Sequence, residues 1–190
     1  MASRRILAQR ELPEGQLLPY RGQQLSLHLT TSLKKPQVTL LEPEKTLWVN
    51  FYQPHPPVPV QLPLLKWYRR RADEHLPARA AYWSQQTGYR FNRLFIKDQS
   101  SRWGSCSSLR NINLNWRLMM APDAVIDYVI IHELCHLQQM NHSKDFWALV
   151  AKYDSACQLH RKWLQDHGRE LFTILPQLPM ALLNAVYFHV

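Results

Sequence analysis

The amino-acid sequence predicts an α+β domain, because segments with the pattern of strands come first along the chain and segments with the pattern of helices follow. Between residues 23 and 31, leucines alternate with polar side chains, which is typical of a strand with one buried face. From residue 122 onward, apolar side chains recur every three or four positions, as they do on one face of a helix. The chain has 190 residues and a hydrophobic share of 46%, which is enough for one globular domain and excludes a disordered chain.

The N-terminal segment, residues 20–53, is predicted to form a small antiparallel meander. Its three strand candidates cover residues 23–31, 38–40 and 47–51. Residues 42–44 provide a turn between the last two strands, because they contain proline between two glutamates. Residues 54–63 contain repeated prolines and therefore form a connector, since proline continues neither a central strand nor a helix interior.

Residues 64–170 form the predicted core of the domain, and residues 171–190 form a C-terminal tail. A helix is predicted over residues 64–88, with a break near Pro77 and an end at Gly88. Two further strand candidates cover residues 91–97 and 112–116.

An amphipathic helix is predicted from Pro122 to about Met140. Pro122 suits the first helical position, and Asp123 suits the positive end of the helix dipole. The apolar residues at helical spacing are Val125, Ile126, Val129, Ile130, Leu134 and Leu137. Ser143, which is followed by Asp145, is an N-cap signal that opens the next helix.

Composition and charge limit the compartment and the partners that we expect. Lysine and arginine number 23 against 14 acidic residues, so the net charge of +9 is compatible with a nucleotide or a nucleic acid as partner. Three cysteines do not form a disulfide framework and indicate a reducing compartment, so we expect a cytoplasmic protein. No apolar run approaches the length of about 18 residues that a membrane helix needs, so we expect no membrane partner.

The motif that indicates chemistry is His132-Glu133-Leu134-Cys135-His136, which has the form H-E-x-x-H and lies on the predicted helix. Positions i and i+4 lie on the same face of a helix, so the imidazoles of His132 and His136 can bind one metal ion. Glu133 then acts as the general base toward the water that the metal activates. The motif predicts one Zn²⁺ ion, and another divalent metal is compatible with the same ligands.

A catalytic zinc site needs a third protein ligand and a fourth position that stays open. His142 is the candidate, but it can face the metal only if the chain turns after about Met140. Asn141 tolerates the left-handed conformation of a helix C-cap, and Ser143 starts the next helix, so the local signals favour such a turn. The alternatives are two solvent-facing histidines on an ordinary helix, or a closed structural zinc site. Cys135 is better explained as a small buried core residue.

Several segments, taken in order, resemble the YgjP-like metallopeptidase family, a relative of the WLM and SprT-like zincins. The matching segments read SRWGSC at residues 101–106, NINLNWRL at 111–118, AP at 121–122, VIDYV at 125–129, HELCH at 132–136 and NHSKDFW at 141–147. The resemblance covers most of residues 20–170, and it implies a zincin-like α+β fold with metal-dependent hydrolase or peptidase activity. At the matching positions, it implies that His132, His136 and His142 are the metal ligands. It implies that Glu133 is the base.

The segment that begins at Arg102 and the strand that follows it supply tentative substrate-binding residues. Arg102 carries a planar, positively charged guanidinium group that can bind a carboxylate or a phosphate. Trp103 either fills the core or forms a wall of the cleft, and Gly104 allows a tight strand bend. Asn113 and Asn115 occupy the polar face of their strand, where they can orient substrate or a ligand histidine. Solvated edge residues would show the same pattern.

We therefore expect a zinc-dependent hydrolase and favour a metallopeptidase that cleaves a peptide or protein substrate. The first alternative keeps the metal but hydrolyses the phosphoanhydride bond of a nucleoside triphosphate, which the positive charge and Arg102 favour. The second alternative is a nucleic-acid-associated protease or binding module, whose best local support is the arginine run at residues 69–71. Three adjacent arginines on a helix are more often a solvated face.

Overall fold

Two β-sheets and four α-helices make up the part of the chain that the structure describes, which is residues 12–32, 37–52 and 60–175 of a computed structural model. This combination of sheets and helices confirms the predicted α+β class. A hydrophobic core connects both sheets with the helices. Among the described helices, none combines the length and the apolar character that are needed to cross a membrane.

The first sheet differs from the predicted meander. It contains β1 (Leu17–Tyr20), β2 (Gln23–Ser32), β3 (Gln37–Leu41) and β4 (Thr46–Tyr52) in the spatial order β1-β2-β4-β3. β2 and β4 run parallel, whereas the other two pairs are antiparallel, so this segment forms a mixed sheet instead of the antiparallel meander that its pattern predicted. β4 lies inside the sheet because Leu47 and Val49 are completely buried, while β3 has no fully buried side chain and lies at the edge. The sequence pattern did not predict β1.

The long helix α1 (Gln61–Thr87) begins three residues before its predicted start at residue 64 and runs through Pro77 without a break. Pro77 faces solvent, whereas its neighbours Leu76 and Ala80 are completely buried. Burial of this face stabilises the helix enough to offset the hydrogen bond that proline cannot make. The helix ends at Gly88, as predicted, with a left-handed φ of 75°.

The second sheet contains β5 (Arg93–Lys97), β6 (Gly104–Cys106) and β7 (Asn111–Asn115), with β7 in the middle. β5 runs parallel to β7, and β6 runs antiparallel to it. The strand predicted at residues 112–116 is confirmed except at Trp116, which begins a short 3-10 helix (Trp116–Met120). β6 lies at one edge of the sheet, next to the helix that carries the H-E-x-x-H motif.

A completely buried asparagine at the end of β7, Asn115, holds the loop that leads to β6. Its side-chain amide donates hydrogen bonds to the carbonyl oxygens of Gln99, at 2.8 Å, and Arg102, at 2.9 Å. Its Oδ1 atom accepts a hydrogen bond from the backbone N–H of Arg117 at 3.1 Å. Its own backbone N–H donates to the carbonyl oxygen of Trp103 at 2.8 Å. Asn115 therefore positions the segment that enters the candidate site.

The helix α2 (Asp123–Cys135), which carries the motif, is buried on nearly all sides. It contacts α1, β6, β7 and the last two helices, α3 (Lys144–Tyr153) and α4 (Cys157–Ile174). The prediction of an amphipathic helix is therefore wrong, because Tyr128, Ile131 and Glu133 are buried in addition to the apolar stripe. Pro122 is the N-cap residue of α2, one position before the predicted place.

The end of α4 reaches into the predicted C-terminal tail, because residues 171–174 form its last turn. Arg117, which is 1% exposed, holds this end in place. Its guanidinium donates a hydrogen bond to the carbonyl oxygen of Leu175 at 2.8 Å and forms an ion pair with Asp98. Residues 53–59 and 176–190 lie outside the described residues, and with them most of the predicted connector and tail.

We expect Asn115→Ala to destabilise the fold, because two carbonyl groups and one N–H group would lose their partner. The free energy of unfolding, measured by urea denaturation, should fall by about 2–4 kcal/mol. Asn113→Ala is the matched control, since Asn113 is half-buried and donates one side-chain hydrogen bond, to Ser105. It should cost about 1 kcal/mol. Equal losses for the two variants would contradict the role assigned to Asn115.

Candidate metal centre

Three histidine side chains, those of His132, His136 and His142, come together at the C-terminal end of α2. His132 and His136 lie one helical turn apart on the same face. His142 lies in the loop between α2 and α3, and its Nε2 atom is 3.1 Å from Nε2 of His132. The ligand-type nitrogens of the three residues lie within 4.8 Å of one another. The structure thus brings together the three histidines that the sequence suggested as ligands.

The turn that returns His142 to α2 comes earlier than the sequence predicted. The helix ends at Cys135 instead of near residue 140, and the next N–H groups donate to carbonyl oxygens of its last turn. Because the chain has already left the helix there, Asn141 is not the left-handed cap that we expected. The predicted start of the next helix is confirmed, since the Ser143 hydroxyl accepts a hydrogen bond from the N–H of Phe146 at 3.3 Å.

Hydrogen bonding and burial favour the neutral form of two of the imidazoles, those of His132 and His136. The Nδ1 atom of His136 lies 3.0 Å from the carbonyl oxygen of Gln139, so Nδ1 carries the proton and Nε2 remains an acceptor. Burial, and then the charges of the other two histidines, lowers the pKa of His132 to about 3. Burial also lowers the pKa of His136. A neutral imidazole with a free ring nitrogen is the form that binds a metal ion.

Aromatic side chains of α2 and α3 surround the three imidazoles. The ring of Phe146 stacks on His136 with 4.5 Å between the centroids, and Trp147 stacks on His142 at 5.8 Å. Tyr128 lies edge to face with the remaining imidazole at 5.9 Å. These rings shield part of the cluster from water, although the side chain of His142 remains exposed, and they lower the local dielectric around His132 and His136.

Three imidazole nitrogens are a donor set that suits a zinc ion. Zn–N bonds of about 2.0–2.1 Å at tetrahedral angles place two ligand nitrogens about 3.3 Å apart. The separation of 3.1 Å between His132 and His142 is close to this value. Among the described residues, no thiol or carboxylate joins the histidine cluster. The nearby Cys106 stays a neutral thiol, because burial and the charge of Glu133 raise its pKa to about 11.

Glu133 follows the first histidine of the motif and is almost completely buried, with 6% of its surface exposed. Burial raises the pKa of its carboxyl group to about 8. Gly104 in β6 makes this burial possible, because a Cβ atom at that position would lie 2.6 Å from Oε1 of Glu133. The backbone of β6 therefore covers the carboxyl group. The sequence indicated a strand bend at Gly104 and contained no local signal for this contact.

A cleft of about 230 Å³ opens onto Glu133 and His132. The other residues that line it are Arg102, Trp103 and Gly104 near β6, Tyr128 and Val129 on α2, and Leu164 on α4. The structure thus places two of the three predicted substrate-binding residues, Arg102 and Trp103, at the cleft. Leu164 carries no signal of this role in the sequence, because its position depends on how α4 packs across α2.

Trp103 is both a core residue and a wall of the cleft. Its ring lies 4.7 Å from the ring of Phe172, and a Cβ atom at Gly168 would lie 3.1 Å from it. Asn113, the third predicted substrate-binding residue, does not line the cleft. Its side-chain amide donates to the Ser105 hydroxyl at 3.0 Å, on the face of the sheet opposite to Gly104.

The arginine run that the sequence offered as a nucleic-acid contact forms ion pairs within the chain. Arg69 pairs with Asp98 at 2.8 Å. Arg70 and Arg71 both pair with Glu74, at 2.9 and 3.0 Å. Each arginine of the run thus has a carboxylate at ion-pair distance, although two carboxylates, one of which also pairs with Arg117, compensate only part of its positive charge.

Comparisons with known proteins place the chain in a family. The family described as YgjP-like, metallopeptidase domain matches residues 1–167. No curated protein sequence matches the chain. Among solved structures, the crystal structure of the metallopeptidase zymogen of Pyrococcus abyssi abylysin is similar, with 20% sequence identity and a TM-score of 0.44 over 50% of this chain and 96% of that chain. Since the family match spans well over half of its length, the chain belongs to the YgjP-like metallopeptidase family.

Proposed function

We propose that the protein is a zinc-dependent metallopeptidase that cleaves a peptide or protein substrate with Glu133 as the general base. Membership of the family supports a metal-dependent peptidase. The observation that carries the finer proposal is the buried carboxyl group of Glu133 beside three imidazoles whose nitrogens lie within 4.8 Å of one another. Glu133 and the first of these histidines, His132, line one cleft.

Each group at the cleft has a proposed role. His132, His136 and His142 would hold one Zn²⁺ ion, which when bound supplies Lewis acidity. Glu133 takes a proton from the attacking water and delivers it to the leaving amine. Burial raises the pKa of Glu133 to about 8, so that the carboxyl group can both accept and return a proton near neutral pH.

Tyr128 is the proposed donor to the oxyanion that develops on the substrate carbonyl. It lines the cleft, and its ring lies 5.9 Å from that of His132. Burial raises the pKa of its phenol to about 12, so the hydroxyl group keeps its proton and can donate a hydrogen bond. Tyr153, by contrast, donates to the carbonyl oxygen of Thr87 at 3.3 Å and is used in packing.

The edge of β6 supports a peptide as the substrate. Within the described sheet, β6 pairs with β7 on one side only. Its other edge leaves backbone donors and acceptors next to the cleft, and an extended peptide can pair with them. A nucleotide has no matching backbone, so this edge favours peptide hydrolysis over phosphoanhydride hydrolysis.

Domain organisation and compartment complete the proposal. We treat the chain as one zincin-like domain, because the described strands and helices share one hydrophobic core. A reducing compartment such as the cytoplasm is supported by Cys106, Cys135 and Cys157, which are all free thiols.

We expect Glu133→Gln to keep zinc and lose turnover, because the amide does not ligate the metal and cannot accept the proton of water. His136→Ala should lose both zinc and turnover, since one of the three proposed ligands is removed. Zinc content is measured on purified protein, and hydrolysis is measured with a fluorogenic peptide library, in each case with and without a chelator.

The same preparations are also assayed with a panel of nucleoside triphosphates. The proposal would be supported if the wild-type protein hydrolysed peptides, if the chelator blocked this hydrolysis, and if neither variant showed it. Full peptidase activity of Glu133→Gln would reject the role of Glu133. Chelator-sensitive hydrolysis of triphosphates without any peptide cleavage would replace the proposed function by the phosphohydrolase alternative.

Gly104→Ala should displace Glu133, because the new methyl group would lie 2.6 Å from Oε1 of the carboxyl group. We expect kcat/KM for peptide hydrolysis to fall about tenfold or more, with zinc content unchanged. The free energy of unfolding should fall by about 1–3 kcal/mol. Because φ of Gly104 lies outside the left-handed region, alanine introduces no backbone strain there.

Two controls isolate the contact between Gly104 and Glu133. Ser105→Ala changes the next residue of β6, whose side chain lies on the other face, and it should keep most of the activity. In a Glu133→Ala background, adding Gly104→Ala should cost little stability, because the atoms that clash are absent. An undiminished stability cost in that background would contradict the contact.

Glu133 should also make the stability of the metal-free protein depend on pH. Its pKa is about 8 in the folded state against 4.5 for an ordinary glutamate, so between these values the folded state holds a proton that the unfolded state has released. Stability due to this group therefore falls as pH rises. From pH 6.5 to 8, we expect Glu133→Gln to gain about 2 kcal/mol over wild type in urea denaturation with a chelator present. A constant difference would contradict the raised pKa.

A further inference from the structure

Ion pairs hold several arginine side chains in the described part of the chain. The arginines paired with an aspartate or a glutamate are Arg21, Arg69, Arg70, Arg71, Arg79 and Arg117. Two arginines near the candidate metal centre, Arg102 and Arg161, have no carboxylate at ion-pair distance among the described residues. They are therefore free to bind a negative charge that comes from outside the chain.

Arg161 lies beside the histidine cluster through an aromatic contact. Its guanidinium lies 4.8 Å from the centre of the Trp147 ring, which in turn stacks on His142. One turn further along α4, Leu164 lines the cleft.

Arg102 approaches the same cleft from the segment before β6. Its backbone is held, because its carbonyl oxygen accepts a hydrogen bond from the buried amide of Asn115 at 2.9 Å. Its side chain is exposed, so it can reach a bound molecule without breaking a contact within the protein. Because the backbone is already fixed, less conformational entropy is lost when the guanidinium group binds a ligand.

Glu133 provides the one carboxyl group among the described residues that line the cleft, and this group is buried against β6. It is covered by the strand and forms no ion pair with either arginine. A substrate that enters the cleft meets the guanidinium group of Arg102, and that of Arg161 lies beside the histidine cluster.

We propose that the cleft selects peptides that have an acidic side chain close to the cleaved bond, and that Arg161 and Arg102 bind this side chain. The proposal rests on the proposed peptidase function and names the class of its substrate. A guanidinium binds a carboxylate through two parallel N–H groups. The contact of Arg161 with the ring of Trp147 favours a fixed position for its guanidinium group.

The test measures binding, so that it does not depend on turnover. Glu133→Gln loaded with Zn²⁺ is titrated with labelled alanine-based peptides in which one glutamate is moved along the peptide, and with matched peptides that contain glutamine. Metal-free wild-type protein serves as a second preparation without turnover. At the best position, glutamate should bind about fivefold more tightly than glutamine, as expected for a solvent-accessible charge pair. Added salt should reduce this preference.

Variants of the two arginines assign the preference to its residues. Arg161→Gln and Arg102→Gln should each reduce the preference for glutamate, and the double variant should abolish it. Arg161→Lys should keep part of it, because the charge remains without the planar fork. Arg169→Gln is the matched control, since it removes the same charge from an exposed position of α4 that does not line the cleft. It should keep the full preference.

Equal binding of the glutamate and glutamine peptides, or an undiminished preference in the double variant, would overturn the proposal. Selective binding of glutamate peptides without any peptide cleavage by the wild-type protein would keep the acidic subsite and reject the peptidase function. If a nucleoside triphosphate bound these arginines and the glutamate peptides did not compete with it, the subsite would belong to a phosphate group and the proposal would fail.

Discussion

The contact between Gly104 of β6 and Glu133 of α2 is the packing constraint on which the candidate active site depends. Because no side chain stands at position 104, the strand backbone comes close enough to the carboxyl group to remove it from water. This desolvation raises the pKa of Glu133. The same approach places Arg102 and Trp103, the two residues before Gly104, at the cleft. Because Gly104 has no Cβ atom, the second sheet can pack against α2 closely enough to bury Glu133.

The histidine cluster follows from a second constraint, which is that α2 has almost no solvated face. Helices α1, α3 and α4 and strands β6 and β7 surround it, so the motif at its C-terminal end lies among apolar and aromatic groups. Polar groups in such surroundings are costly unless they bind a partner. A divalent ion would provide that partner for His132, His136 and His142. The donor set and the surroundings are therefore consistent with each other.

For substrate recognition, the positions of a few charged side chains matter more than the net charge of +9. The arginine side chains at residues 69–71 are paired with Glu74 and Asp98, so they are already engaged within the chain. Arg102 lines the cleft and Arg161 lies beside the histidine cluster, and neither forms an ion pair among the described residues. Local charge in a cleft acts on a bound molecule at short range, whereas the field of distant surface charges is screened by salt.

Local sequence patterns were enough to predict the α+β class, the spacing of the H-E-x-x-H motif, the end of α1 at Gly88 and the start of α3 at Ser143. These features depend on side chains a few positions apart. The folded structure was needed to establish the mixed strand order of the first sheet, the burial of α2 on nearly all sides and the passage of α1 through Pro77. It was also needed for the contact of Gly104 with Glu133 and for the place of Arg161 beside Trp147. These features join residues from different elements. Apolar periodicity shows which face of an element is buried, but it does not show which other element covers that face.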